Sequence, residues 1–430
     1  MEDLSEKLKN EPAEVLERLK FIGRVARELD YPVYIVGGFV RDIILGVDDF
    51  DLDVVVEGDG INFAKELAFR LGADFIKHKR FGTATVVTKD KIKVDVASAR
   101  KEIYEEPASL PKVSPGTIKD DLGRRDFAIN AMAIDIAQSS FGRLVDFYQS
   151  REDIEKKAIR ILHNLSFIDD PTRILRAIRF EQRFNFRIES RTLKLLQEAL
   201  SRGMLEKVHK HRLRDEIILI LKEPCVVKCL SRINELCGLK FIHSDLRLDN
   251  KTLNLLGSID EAHSWFRNSF THRRKLERWL LYLMVLLEGL DRHSLEAALK
   301  EFAFRKGEAK IILSFKSESA KAISRLKESV SPSHIYRILE PLSYEVILLT
   351  LLKADSREVK NKIKDFLRMY SASRIFISGH ELKELGITPG PDFKEILKKL
   401  LYAKLDKKFK TREEELRYLK NKILTKSDYC

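Results

Sequence analysis

The chain has 430 residues, a net charge of +13 from 79 Lys+Arg against 66 Asp+Glu, and 44% hydrophobic residues. That length exceeds one ordinary compact core, so several domains are expected, and no run is apolar enough to span a membrane. The basic excess suits either a solvated surface or an anionic partner such as nucleic acid, and a terminus charged from its second residue argues against a secretory signal and for a cytoplasmic protein.

In chain order, a helix is expected over Ala13–Leu29, leading into YPVYIVGG, a strand of the buried kind. FDLDVVVEG reads as a second strand, followed by a helix through Phe63 to Leu71. TATVVTK and KIKVDVASA read as two strands around a charged turn at Lys89-Asp90. Glu105 to Gly116 holds three prolines and reads as a loop. AINAMAIDI suits either a helix or a strand, and a short strand is expected at Leu144-Val145.

From Ser150 onward the periodicity is almost entirely helical. Leu162–Phe184, Arg191–Leu200, His211–Leu221, Lys251–Leu256, Lys275–Leu290 and Leu295–Phe302 place apolar residues three and four apart. Cys225, Cys229 and Cys237 fall on a predicted helix and Cys430 ends the chain. They lack the paired CxxC spacing of zinc sites, so they and the nearby His209 and His211 are expected to be unligated.

The chemistry concentrates in VGGFVRDIILGVDDFDLDV, Val36 to Val54. Residues two apart on a strand share a face, so Asp51 and Asp53 present two carboxylates roughly 7 Å apart along the chain. Unpaired, they would raise one another's pKa; a divalent cation such as Mg²⁺, which takes carboxylate and phosphate oxygens, removes the conflict. Asp48 and Asp49 suit the turn before the strand. Gly37 and Gly38 let the backbone approach a bulky anion, and Arg41 adds a guanidinium nearby. No GKS or GKT follows, so this is not a P-loop.

GGFVRDIILG followed by DLD resembles the signature of the DNA polymerase β nucleotidyltransferase superfamily. GRRDFAINAMAID (Gly123–Asp135) and DDPTRILRAIRFEQRFNF (Asp169–Phe186) narrow the resemblance to the class II tRNA nucleotidyltransferases and bacterial poly(A) polymerases, and ISGHELKELGITPGP (Ile377–Pro391) is similar to a motif in their tail. The resemblance runs from about Tyr31 to Asp406. It implies an α/β head with a mixed sheet, followed by an extended all-α neck, body and tail, with boundaries placed at 1–140, 141–220, 221–320 and 321–430. It also implies Mg²⁺-dependent transfer of C or A from CTP or ATP to the 3′ end of tRNA. Asp51 and Asp53 would be catalytic and hold the metal, while Gly38, Arg41 and Arg125 would contact the nucleotide. Asp95 suits either a third carboxylate or an exposed strand acid. Where the family often has DxFGG, Asp146–Ser150 reads DFYQS, which suggests a differently shaped turn.

Asp170, Arg173, Arg176 and Arg179 recur at steps of three, a slow spiral on one helix, with Ile174, Leu175 and Ile178 on the buried face. Spacing alone is equally that of a solvated Arg-rich face. The resemblance instead makes Asp170 and Arg173 a protein template and sends Arg176 and Arg179 to the triphosphate. A carboxylate accepting from an exocyclic amine and a guanidinium donating to a ring nitrogen fit cytosine and adenine; uracil and guanine present the reverse pattern. CCA, CC-only and A-only addition all stay open, as do poly(A) synthesis and a non-catalytic RNA-binding role on the same scaffold. The tail from Pro391 has twelve Lys/Arg against seven Asp/Glu, and is expected to meet the acceptor–TΨC arm of tRNA.

Overall fold

A computed structural model describes residues 2–47, 52–78, 82–89, 93–271, 273–385, 387 and 390–423, except for the side chains of 391 and 392. It divides into two compact units, Met1–Phe241 and Ile242–Cys430. Asp51, the Lys89-Asp90 turn and Cys430 of the sequence analysis lie wholly or partly outside the described residues.

The first unit is built on a seven-stranded mixed sheet. Its strands are β1 (Val33–Val36), β2 (Leu52–Val56), β3 (Asp74–His78), β4 (Thr83–Val87), β5 (Lys93–Ser98), β8 (Ala133–Asp135) and β9 (Leu144–Val145), in the order β3-β4-β5-β2-β1-β8-β9. β2 and β5 run parallel, with Asp53 opposite Asp95, and the remaining pairs are antiparallel. The period of two sorts each strand by face. Leu52, Val54 and Val56 of β2 and Val94 and Val96 of β5 are buried, and helix α4 (Gly60–Leu71) packs on β2, β3, β4 and β5. On the other face Val36, Val55, Ala99 and Ala133 pack with Ile118 and Leu122 of α5 (Ile118–Gly123). Asp53 is two residues from Val55, so it shares this second face.

α1 (Ser5–Lys9), α2 (Ala13–Glu28) and α3 (Gly38–Leu45) complete the head. Its residues 128–130 make one 3₁₀ turn before β8, so AINAMAIDI is helical turn and strand in succession. Two expectations need correction. Glu105–Gly116 is not all loop: β6 (Arg100–Ile103) and β7 (Lys112–Pro115) form a hairpin, in which Pro115 ends an outer strand and costs no ladder donor. β3 is exposed along most of its length and lacks the alternation that would have announced it.

In DFYQS, Asp146 accepts from the backbone N–H groups of Tyr148, Ser150 and Arg151 at 3.0, 3.0 and 2.9 Å, and Gln149 takes a left-handed φ of 58°. The following helices are α6 (Ser150–Glu155), α7 (Ser166–Asp169), α8 (Thr172–Phe184), α9 (Ser190–Ser201), α10 (Lys210–Lys222) and α11 (Val226–Leu236). The single helix expected over 162–184 is therefore broken at Asp170-Pro171, as the restriction proline places on its predecessor requires. β10 (Ala158–Ile159) and β11 (Arg187–Ile188) form a short parallel pair within this otherwise helical stretch. Cys225, Cys229 and Cys237 are free thiols.

The second unit is helical throughout its described residues: α12 (Asn250–Gly257), α13 (Ile259–Ser269), α14 (Arg278–Leu286), α15 (Arg292–Glu301), α16 (Lys306–Lys327), α17 (Pro332–Leu339), α18 (Tyr344–Lys353), α19 (Arg357–Arg368), α20 (Gly379–Glu384), α21 (Pro391–Leu405) and α22 (Arg412–Tyr418). α14 is buried from Trp279 to Leu286, as a helix apolar all round should be. Ile377, Leu382, Ile396, Leu400, Phe409 and Leu419 make a separate small core near the end of the chain.

Candidate active site

β1 ends at Val36, and Gly37 turns the chain with φ 73° into α3. A side chain cannot replace this hydrogen: a Cβ on Gly37 would lie 2.7 Å from Arg125 Nη1 and 3.7 Å from Asp53 Oδ2. Gly37 is thus the tighter of the two glycines, since the nearest atom to a Cβ on Gly38 is Arg41 Nη2 at an ordinary 3.6 Å.

Around this turn lies a polar cavity of about 620 Å³. Gly38, Arg41, Asp53, Arg125, Asp170, Arg173 and Arg176 all line it, together with Glu102, Tyr104, Arg124, Asp126, Asn130, Thr172, Phe180, Arg212, Asp215 and Glu216. Residues spread over 180 positions therefore converge on one space. Arg179, the last of the spiral, is not among the lining residues. It is buried, donates to Glu223 at 3.1 Å and stacks over Phe180.

The cavity wall carries as many carboxylates as guanidinium groups, and much of the charge is spent internally. Arg41 grips Asp42 through two bonds of 2.8 and 2.7 Å, donates to Asn130 at 2.6 Å and lies 4.5 Å from the Phe184 ring centroid. The fully buried Asp121 accepts from both Arg124 (2.9 and 2.6 Å) and Arg125 (3.1 Å). Arg125 Nε is buried with no hydrogen-bond partner among the described residues, which leaves that guanidinium with unused capacity toward a ligand. Asp126 accepts from its neighbour Phe127 N–H, from Asn130 and from Arg176, whose other branch holds Glu216. Burial alone would raise the Asp126 carboxyl, but Arg176 and the Asn130 amide outweigh it and hold the group well below the usual carboxylate range.

The two residues expected to read the base are each held on one side only. Asp170 Oδ1 accepts from Thr172 N (3.1 Å), Thr172 Oγ1 (2.6 Å) and Arg212 Nη2 (2.7 Å). Arg173 is buried, donating to Ser166 Oγ at 2.6 Å and to the Arg124 carbonyl at 2.9 Å. Ser166, Thr172, Arg212, Asp121, Glu102 and Tyr104 were all missed by sequence reasoning. Asp121 alone carried a signal, standing three and four positions before two arginines on a short helix.

Oxygen is the only donor type that the strands bring to a cation here. Asp53 on β2 faces the same side as Asp95 on β5, and Asp95 accepts from Thr85 Oγ1 at 2.5 Å on β4. Among the described residues no three His, Cys, Asp or Glu converge as a metal cluster, and Asp51 lies outside them. The hard-oxygen character of the Asp53 face fits Mg²⁺. His209 and His211 stack on one another at 5.7 Å.

Comparison with known proteins gives a consistent result. Residues 33–160 match the poly A polymerase head domain family. The chain is 39% identical over 412 residues to the A-adding tRNA nucleotidyltransferase of Geobacter sulfurreducens, covering 94% of this chain and 47% of that protein. It is 34% identical over 389 residues to the A-adding tRNA nucleotidyltransferase of Halalkalibacterium halodurans, covering 89% and 86%. Among solved structures, the Thermotoga maritima CCA-adding enzyme complexed with tRNA is similar at a TM-score of 0.73 and 34% identity, over 97% and 98% of the two chains. The chain thus spans about half the length of the Geobacter protein.

Proposed function

Since the chain belongs to the tRNA nucleotidyltransferase family, we propose that it transfers a nucleoside monophosphate from ATP to the 3′ end of a tRNA that already ends in CC. The 3′-hydroxyl oxygen bonds to the α-phosphorus, the bond from that phosphorus to the bridging oxygen of the β-phosphate breaks, and pyrophosphate leaves while the hydroxyl proton passes to solvent. The observation that carries the reading is the convergence of Gly37, Asp53, Arg125, Asp170 and Arg173 on one cavity. The choice of A over CC or CCA rests on what the two relatives are named.

Asp51 and Asp53 would hold Mg²⁺, which when bound activates the attacking hydroxyl and neutralises the leaving pyrophosphate. The chain's own contribution is positional. Gly37 lets the triphosphate reach the backbone, and Arg125, fixed by Asp121, meets its charge. Asp170 and Arg173 read the base, with Arg212, Thr172 and Ser166 setting their orientation. The body and tail would carry the tRNA. The four-part division at 140, 220 and 320 belongs to this proposal.

The test is incubation with tRNA ending in CC, or lacking CCA, plus labelled ATP or CTP, followed by sizing of the product. One A added to the CC-ended tRNA is expected. A long homopolymer would point to a poly(A) polymerase, and incorporated C to CC or CCA addition. Asp53→Ala should abolish addition and leave tRNA affinity nearly unchanged, because phosphate contacts elsewhere dominate binding. Undiminished addition by that variant with Mg²⁺ as the only metal removes the metal-site assignment.

A further inference from the structure

A base read along its edge by Asp170 and Arg173 still has two uncovered faces, and stacking on an aromatic ring is the usual way to cover one. Two aromatic side chains line the cavity, Phe180 and Tyr104. Phe180 is already taken. The guanidinium carbons of Arg179, Arg176 and Arg41 lie 4.7, 5.5 and 5.8 Å from its centroid, and Phe127 meets it edge to face at 5.9 Å.

Tyr104 is placed differently. It follows β6 and lines both this cavity and a neighbouring one of about 490 Å³ whose wall includes Lys101, Tyr148 and His163. Its ring therefore stands as a partition between two open spaces, and among the described residues it carries no stacked ring or cation. It is nevertheless anchored. Oη donates to Glu102 Oε2 at 3.2 Å, and Glu102 Oε1 accepts from Arg100 at 2.9 Å and from Arg124 at 3.0 Å. Burial, with Glu102 and Asp170 adding to it against Arg173, pushes the phenol up to about 12, so it remains a neutral donor. The charges of Asp170 and Arg173 act on it directly, which places it beside the base-reading pair.

We propose that Tyr104 is a stacking platform for the base of the bound nucleoside triphosphate, covering one face while Asp170 and Arg173 meet the edge. The assignment rests on the nucleotide-binding part of the function proposed above. Every base has a π-face, so the ring adds affinity without choosing between bases. Choice stays with the hydrogen-bonding pair, and this division of labour is what can be measured.

Equilibrium binding of ATP, CTP and inorganic tripolyphosphate to the full chain, without tRNA, separates the contributions. Tyr104→Leu should weaken ATP and CTP by about tenfold each, keep their ratio, and leave tripolyphosphate within about twofold. Tyr104→Phe, which keeps the ring and loses the tether to Glu102, should restore most of the lost affinity. The proposal is overturned if Tyr104→Leu binds ATP like the parent chain, if tripolyphosphate is lost in parallel, or if Phe behaves like Leu. Because tRNA is absent from the measurement, failure to extend tRNA would defeat the transfer reading and not this one.

Discussion

Arg125 Nη1 lies 2.7 Å from the point that a Cβ on Gly37 would occupy, with Asp53 Oδ2 3.7 Å from the same point. The backbone turn, the guanidinium and the carboxylate thus share a space that admits no side chain. Gly37→Ala should lower kcat/KM for nucleotide addition by at least about tenfold, because Arg125 must move. It should also destabilise the head by about 1–2 kcal/mol, since φ is 73°. Steady-state kinetics and thermal unfolding read the two effects separately.

Arg212 holds one oxygen of Asp170 at 2.7 Å and leaves the other toward the cavity. Arg212→Ala should free the carboxylate to rotate. The expected result is a roughly tenfold loss of discrimination between ATP and GTP in kcat/KM, about 1.4 kcal/mol, with little change in melting temperature. A variant that loses rate equally for all four nucleotides would mean that Arg212 acts on something other than base choice.

The Asp126–Arg176 pair, 2.5 Å at its closest, is largely out of water. Asp126→Asn should cost about 3 kcal/mol, the lower end for breaking a buried pair, because Glu216 still holds Arg176. The sign with pH follows from the lowered carboxyl of the folded state. Its stabilisation is complete above the unfolded value of about 3.9 and is lost as pH falls below it. Acid unfolding of the Asn variant, followed by circular dichroism, should therefore be flatter below about pH 4 than that of the parent.

In the tail, Lys398, Lys407, Lys408 and Lys410 are exposed, whereas Lys399 pairs with Glu395 and Lys404 donates to the Arg374 carbonyl over the Phe376 ring. Changing the four exposed lysines to Gln should weaken tRNA binding and flatten its salt dependence by roughly 0.7–0.9 per lost phosphate contact. An unchanged affinity and slope would make this end of the chain purely structural.

Spacing along the chain was enough to locate most elements of this protein. β1, β2, β4 and β5 followed from apolar runs of strand length, and α2, α9, α10 and α12 matched their predicted spans to within two residues at either end, because burial repeats every 2 or 3.6 residues whatever the partner is. The motifs around Gly38, Asp53, Arg125 and Asp170 were equally legible, since each is a short run of unusual residue types. Three things were not. β3 had no alternation to read, the β6–β7 hairpin was hidden behind its prolines, and Pro171 cut a helix whose apolar periodicity continued through it. Nor could spacing tell that Arg41 would spend its donors on Asp42 and Asn130, that Arg179 would turn to Glu223, or that Tyr104 would stand between two cavities. Those outcomes depend on groups up to 89 residues apart. A guanidinium in a low-dielectric interior takes whichever carboxylate the fold brings to it, and only the packed chain settles which one that is.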